Sequence, residues 1–171
     1  NTPLKSLISF SMNKQNFYDL NFDQLKNFLI EKAEIEDKKA KMRAQQMFNA
    51  VYKKNIKNFD ELTTFGLELR EKIKNLISLD KPKIIDIQKS KDGTIKFLLE
   101  LKDKRNVETV LIPDKSQSRY TICLSVSVGC YLSCEFCATA QISKKLVRNL
   151  TPGEIISQII LCKDYIDHWS T

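Results

Sequence analysis

Between residues 20 and 80 the apolar side chains recur every three to four positions. Phe22, Leu25, Phe28 and Leu29 share one helical face, and Asn21 is placed to cap the helix they predict. Ala44, Met47, Phe48 and Val51 predict a second helix over residues 38–54. Asp60-Glu61-Leu62 predicts a short turn, and Leu67, Arg70, Ile73, Leu76 and Ile77 predict a third, long helix. These stripes are those of a small helical core and carry no chemistry of their own. Lys81-Pro82 closes the helical part.

The period then changes to alternation. Ile84, Ile85 and Ile87 lead to Lys91-Asp92-Gly93, a hairpin signal, and Thr94 to Leu101 is the return strand. Val107 to Pro113 reads as a further strand of a small antiparallel meander. Tyr120 to Val128 is a β-branched run ending at Gly129, and a cysteine-bearing segment follows directly. Thr151 as N-cap, Pro152 at the first helical position and Glu154 at the third form a capping box. Ile155, Ile156, Ile159, Ile160 and Tyr165 supply the apolar face of the helix they open. Strand, ligand segment and helix make the first unit of a parallel α/β barrel, which cannot close alone because its strand edge stays unpaired. The expected fold class is α/β, α+β overall: a helical domain, an antiparallel meander and the first βα unit of a barrel. The expected division is a disordered leader at 1–14, a helical accessory domain at 15–82, the meander at 83–113, and at 114–171 the start of a barrel, cut short.

Composition narrows the class. The chain has 171 residues, 42% of them hydrophobic, which suits a folded protein. No stretch approaches the roughly 20 apolar residues of a membrane-spanning helix. Residues 4–10 are mildly apolar but lack the flanks of a secretory signal. The net charge of +7 permits a polyanionic partner such as RNA. Its basic clusters are Lys38-Lys39-Ala40-Lys41-Met42-Arg43, Lys53-Lys54 and Lys144-Lys145. Each is equally readable as a solvated surface.

The candidate chemistry is in Cys130, Cys134 and Cys137, spaced C-x3-C-x2-C with Phe136 just before the last. Three thiolates can hold three irons of a four-iron cluster and leave the fourth iron open for a ligand. A structural zinc site needs a fourth ligand, and the single His168 lies far off in sequence. Five cysteines without a secretory segment do not read as a disulfide framework. A ferredoxin run has a different spacing and a fourth cysteine before proline. Cys123 stands apart, seven residues before Cys130. On a regular strand it shares a face with Ser125, and a buried structural cysteine is the plain alternative. Cys162, in the middle of the last helix, reads as a small buried apolar residue.

These residues resemble the radical S-adenosylmethionine enzymes. More closely, they resemble the dual-specificity RNA adenine-C2 methyltransferases of the RlmN/Cfr group. The resemblance runs from about residue 15 through Asp92-Gly93-Thr94-Ile95-Lys96, Val107-Glu108-Thr109-Val110-Leu111-Ile112-Pro113, the Cys123–Cys137 block, Arg148-Asn149-Leu150-Thr151 and Glu154-Ile155. The cysteine triplet carries the superfamily; Cys123 and the V-E-T-V-x-I-P strand carry the subgroup.

The resemblance implies a [4Fe-4S] cluster on Cys130, Cys134 and Cys137, with S-adenosyl-L-methionine as the other cofactor. It implies methylation of carbon 2 of an adenosine in 23S rRNA and in tRNAs. That carbon is electron-poor and cannot attack a methyl group, so the route passes through a 5′-deoxyadenosyl radical and a methylcysteine. The methyl-carrying cysteine belongs downstream of this chain. Cys123 is implied as the thiol that resolves the protein–RNA crosslink as a disulfide, and Glu108 as a proton-transfer group facing the base. On its strand alone Glu108 could equally face water. Phe136 is implied beside the adenine of S-adenosylmethionine, or else packs in the core. A flavodoxin-type electron donor, a cytoplasmic location, a monomeric state and no membrane partner are also implied. The alternatives are C8 methylation by the antibiotic-resistance branch and a non-catalytic RNA-binding module.

Overall fold

The computed structural model describes residues 14–114, 116, 118–132, 134–135 and 146–169, the last three of these by backbone alone. The expected leader at 1–14, Phe136, Cys137 and Lys144-Lys145 therefore lie outside the described residues, except for Lys14. The chain divides into two compact units, one of residues 1–17 and 22–79 and one of residues 18–21 and 80–171.

In the first unit, β1 (Gln15–Asn16) pairs in parallel with β2 (Ile77–Ser78). Between them come α1 (Phe22–Glu31), α2 (Asp37–Phe48) and α3 (Leu67–Leu76). The predicted stripes bury as expected: Leu25 and Leu29 from α1, Ala44 and Met47 from α2, Ile73 from α3. Two details differ from the sequence reading. The second helix runs on to residue 53, but Asn49–Lys53 is wound as a π-helix, with Lys54 N–H bonded to Asn49 O at 3.0 Å. Ala50 and Val51 in this wider turn are buried, and the Phe48 and Tyr52 rings lie 5.3 Å apart, tilted by 55°, with Phe17 5.4 Å from Phe48. The third helix is shorter than expected. Ile77 ends it: its N–H still bonds to Ile73 O, but its backbone is extended and it pairs with Gln15 as the first residue of β2.

The second unit is built on one antiparallel sheet, β3 (Lys83–Lys89), β4 (Ile95–Glu100), β5 (Asn106–Asp114) and β6 (Arg119–Cys123), in chain order. The predicted hairpin turn is present. Asp92 accepts from Ser90 and from the Thr94 amide, and Gly93 takes φ +96°, a conformation that favours glycine. The alternation in β4 is real, with Ile95, Phe97 and Leu99 buried and Lys96 and Leu98 on the other face. In β3 it is not. That strand is an edge with a bulge between Ile84 and Asp86, so Ile85 and Ile87 stay exposed.

The meander is also longer than the sequence reading. Tyr120 to Val128 is not one strand: its first part joins the meander as β6, and after a break Ser127–Val128 (β7) pairs antiparallel with Arg148–Asn149 (β8). α4 (Pro152–Trp169) follows. The order strand, cysteine segment, helix is as expected, but both neighbours of the break pair antiparallel. The core of this unit joins Ile95, Phe97, Leu99, Val107 and Leu111 to Leu150 and Cys162, with the Phe97 and Tyr165 rings 5.1 Å apart. Full burial of each large apolar side chain is worth roughly 1.5–3 kcal/mol, more than any surface ion pair supplies. No helix among the described residues is long and apolar enough to cross a membrane.

Candidate active site

The strand register decides where the predicted site residues point. In β4 and β5 the pairs Ile95–Leu111, Phe97–Thr109 and Leu99–Val107 face the core. The alternate pairs, Lys96–Val110 and Leu98–Glu108, therefore face away from it. Cys123, the last residue of β6, is paired with Val110 and so lies on that same outer face. Glu108 and Cys123 are diagonal neighbours there, a relation that places residues roughly 7–8 Å apart. Cys123 is exposed, so the plain alternative of a packed core cysteine does not apply to it. Its expected sharing of a strand face with Ser125 does not hold either, because β6 ends at Cys123. Glu108 is exposed and pairs with Lys96 Nζ at 3.0 Å.

Cys130 and Cys134 sit in the non-strand stretch after β7, both half-buried and both free thiols. Gly129, at φ +77°, turns the chain into this stretch. The Leu132 amide donates to Cys130 Sγ at 3.4 Å. Tyr131 and Leu132 beside it are 74% and 79% exposed. Soft sulfur donors four residues apart in sequence suit an iron–sulfur cluster and suit a hard oxygen-loving cation poorly. The third expected ligand, Cys137, and the expected cofactor neighbour, Phe136, are outside the described residues, and among those described no three metal-ligating side chains converge. No disulfide occurs among the described residues, where Cys123, Cys130, Cys134 and Cys162 are free. Cys162 is fully buried, as read from sequence, and burial pushes its thiol up to about 11.

Both limbs of the cysteine segment are tied down. On the return limb, Arg148 of β8 grips the Glu154 carboxylate with two bonds, 2.7 and 2.8 Å, and reaches Asp103 Oδ2 at 2.9 Å. Glu154 at the same time completes the predicted capping box: it accepts from Thr151 N at 2.9 Å, and its own amide donates to Thr151 Oγ1 at 3.1 Å. Arg148 holds the Glu154 carboxyl below its ordinary value, and Glu154 and then Asp103 hold the guanidinium charged. The amide of Gly153 donates to Asp19 Oδ1 at 2.7 Å. A side chain at position 153 would collide with that carboxylate, since an added Cβ falls 2.5 Å from Oδ1.

On the approach limb the tie is Gln158, fully buried on α4, together with buried Thr109. Sequence reasoning singled out neither. The available signal was a Ser-Gln pair interrupting the run of isoleucines on the helix.

Three comparisons bear on this arrangement. Residues 15–79 match the family model described as the ribosomal RNA large subunit methyltransferase N-terminal domain. The chain is 39% identical over 160 residues to the dual-specificity RNA methyltransferase RlmN of Campylobacter fetus, which covers 87% of this chain and 42% of that protein. It is 40% identical over 141 residues to the protein of the same description from Novosphingobium aromaticivorans, covering 82% of this chain and 32% of that one. Among solved structures, a radical SAM methyltransferase from Sphaerobacter thermophilus superposes with a TM-score of 0.77 at 29% identity, over 92% of this chain and 44% of its own. The chain thus spans about two-fifths of the length of the relatives it matches.

Proposed function

The chain belongs to the RlmN family of RNA methyltransferases, and from that premise we propose that the protein methylates carbon 2 of adenosine in 23S rRNA and in tRNA. The observation that carries the reading is the shared outer face of Cys123 and Glu108, followed within seven residues by the first half-buried thiol of the cysteine segment.

Cys130, Cys134 and Cys137 are the residues that would hold a [4Fe-4S] cluster, which when bound supplies the electron that activates S-adenosylmethionine. Phe136 is assigned to the adenine of that cofactor. The remaining work falls to side chains on the sheet. Glu108, exposed and two residues along β5 from the partner of Cys123, would take the proton from carbon 2 of a base bound over this face. Lys96 Nζ lies 3.0 Å from its carboxylate and orients it on that face. Cys123 is exposed and unbonded to sulfur, which a resolving thiol has to be. Its sulfur would attack the sulfur that tethers the base, forming a disulfide as the sulfur–carbon bond breaks; the electron pair leaves with the methylene carbon, which takes a proton from water and becomes the methyl group. Reduced thiols fit a cytoplasmic protein with a flavodoxin-type donor.

The test uses the full-length enzyme, reconstituted without oxygen. Cys130→Ala, Cys134→Ala and Cys137→Ala should each lose iron. Cys123→Ala should keep its iron and stall as a covalent protein–RNA adduct that survives denaturation. Nucleoside analysis should show 2-methyladenosine from the wild type. Full iron content after loss of Cys134, release of product by Cys123→Ala at the wild-type rate, or 8-methyladenosine as the product would each overturn the corresponding part of the reading.

A further inference from the structure

The side chain of Gln158 is wholly buried, yet every hydrogen-bonding position on its amide is used. Oε1 accepts from Thr109 Oγ1 at 2.7 Å and from Ser125 N at 3.0 Å. Nε2 donates to Ser125 O at 2.9 Å and to Glu154 O at 3.1 Å. The pattern fixes which end of the amide is oxygen, since the reverse would set its N–H groups against the Ser125 N–H. A side chain that both accepts from and donates to one residue's backbone replaces a neighbouring strand at that point. Ser125 needs such a replacement, because it lies in the break between β6 and β7, where no strand pairs with it.

What Gln158 holds is the short span joining the two chemical positions. Ser125 is two residues after Cys123 and five before Cys130. Ser125 Oγ donates to Glu108 O at 2.6 Å, and Thr109 is the next residue along β5. One buried amide on α4 therefore bears on Glu108, Cys123 and Cys130 together while touching none of them.

We propose that Gln158 is a positioning residue, setting the spacing between Cys123, Glu108 and the cysteine segment from within the core. This rests on the functional reading above. A misplacement of the order of 1 Å between reacting groups costs about 100-fold in rate, so loss of the clamp has a large expected effect without any loss of a reacting group.

The variant is Gln158→Met in the full-length enzyme, which keeps the length and volume and removes all four bonds. Two readouts apply. Hydrogen exchange should show the Ser125 amide losing protection while β4 keeps its own. Per bound cluster, kcat should fall about 10- to 100-fold with KM for RNA unchanged. Retained protection at Ser125, or wild-type kcat per bound cluster, would overturn the proposal even if the variant melts lower. Should Gln158→Met not yield folded protein, Thr109→Val decides. It removes one bond to Oε1 and leaves the Ser125 pair, so a smaller fall in kcat is expected, and an unchanged kcat per cluster overturns the proposal. Absence of 2-methyladenosine from wild-type reactions would count against the functional reading, whereas the exchange pattern would still report whether Gln158 holds Ser125.

Discussion

Lys96 and Glu108 separate two kinds of importance at a single contact. Their side chains are 39% and 53% exposed, and an ion pair so wetted contributes about 0–1 kcal/mol. Lys96→Met should therefore leave the melting temperature within about 2 °C of wild type, the shift expected for well under 1 kcal/mol in a domain of this size. Glu108→Gln should be as mild on stability and severe on methylation, and a parallel loss of both would make Glu108 structural. The thiols divide the same way. Iodoacetamide should modify Cys123 in the native protein and reach Cys162 only on unfolding, read by mass spectrometry of digests. Cys162 titrates near 11 in place of its ordinary 9.0 because burial disfavours the thiolate. Its contribution is intact below pH 9 and is lost as pH rises to about 11, where the unfolded chain gains by ionising first. Melting temperature should fall more steeply over that window in the wild type than in Cys162→Ala. Half of this division was legible: Cys162 reads as buried from its place among the isoleucines of the helix, and it is. The exposure of Cys123 was not, because only the register shows which face the end of β6 occupies.

At the level of elements, the start of α4 was readable to the residue, because a capping box is a local device written in four consecutive positions. What the sequence did not show is the second use of Glu154, as the partner of Arg148, since that pairing depends on β8 arriving beside the helix. Glu154→Gln keeps the shape and loses the charge, and the expected cost at neutral pH is roughly 1.5–3 kcal/mol, the range for hydrogen bonds to a charged partner. Arg148 depresses the Glu154 carboxyl below its ordinary 4.5. The wild-type advantage is therefore full above that value and shrinks as pH falls below it, through the depressed pKa. Denaturant titrations of both proteins between pH 3 and 7 would check it, and an advantage that persists undiminished at pH 3 would rule out the charge as its source. The π-wound end of α2 and the break between β6 and β7 were hidden for a related reason. Each is a departure from regular period that is held by partners distant in sequence.

Across the whole molecule, the sequence conveyed the change from helical to alternating period, and with it the order of helices and sheet, because burial follows period directly. It conveyed charge less well. Lys38, Lys39, Lys41 and Arg43 read as one basic cluster, yet they are not equivalent. The three lysines are exposed, with Lys39 paired to Glu36 at 3.1 Å. Arg43 is half-buried, donates to Thr64 O at 2.9 Å and lies 4.8 Å over the Phe65 ring. If this surface meets RNA, replacing Lys38 and Lys41 with Gln should lower the salt dependence of binding by close to two counterions without changing stability. Replacing Arg43 should instead destabilise the fold by about 1–2 kcal/mol. An unchanged salt slope in the double lysine variant would mark these lysines as solvated surface.

The bond from the Gly153 amide to Asp19 has a bearing on how the protein can be cut. Asp19 belongs to a four-residue excursion of the chain, residues 18–21, that is grouped with the second unit although the chain on either side of it is grouped with the first. A gene fragment begun at Asp80 would include the whole sheet, the cysteines and the last helix. It would omit the carboxylate that closes the first turn of that helix. Such a fragment should show a frayed helix start and weaker anchoring of the neighbouring Arg148–Glu154 pair. Adding back a peptide containing residues 18–21 is too weak a remedy, because a tethered group gains its effective concentration from the chain that was removed. The piece that looks separable on paper is therefore stitched through by its own beginning.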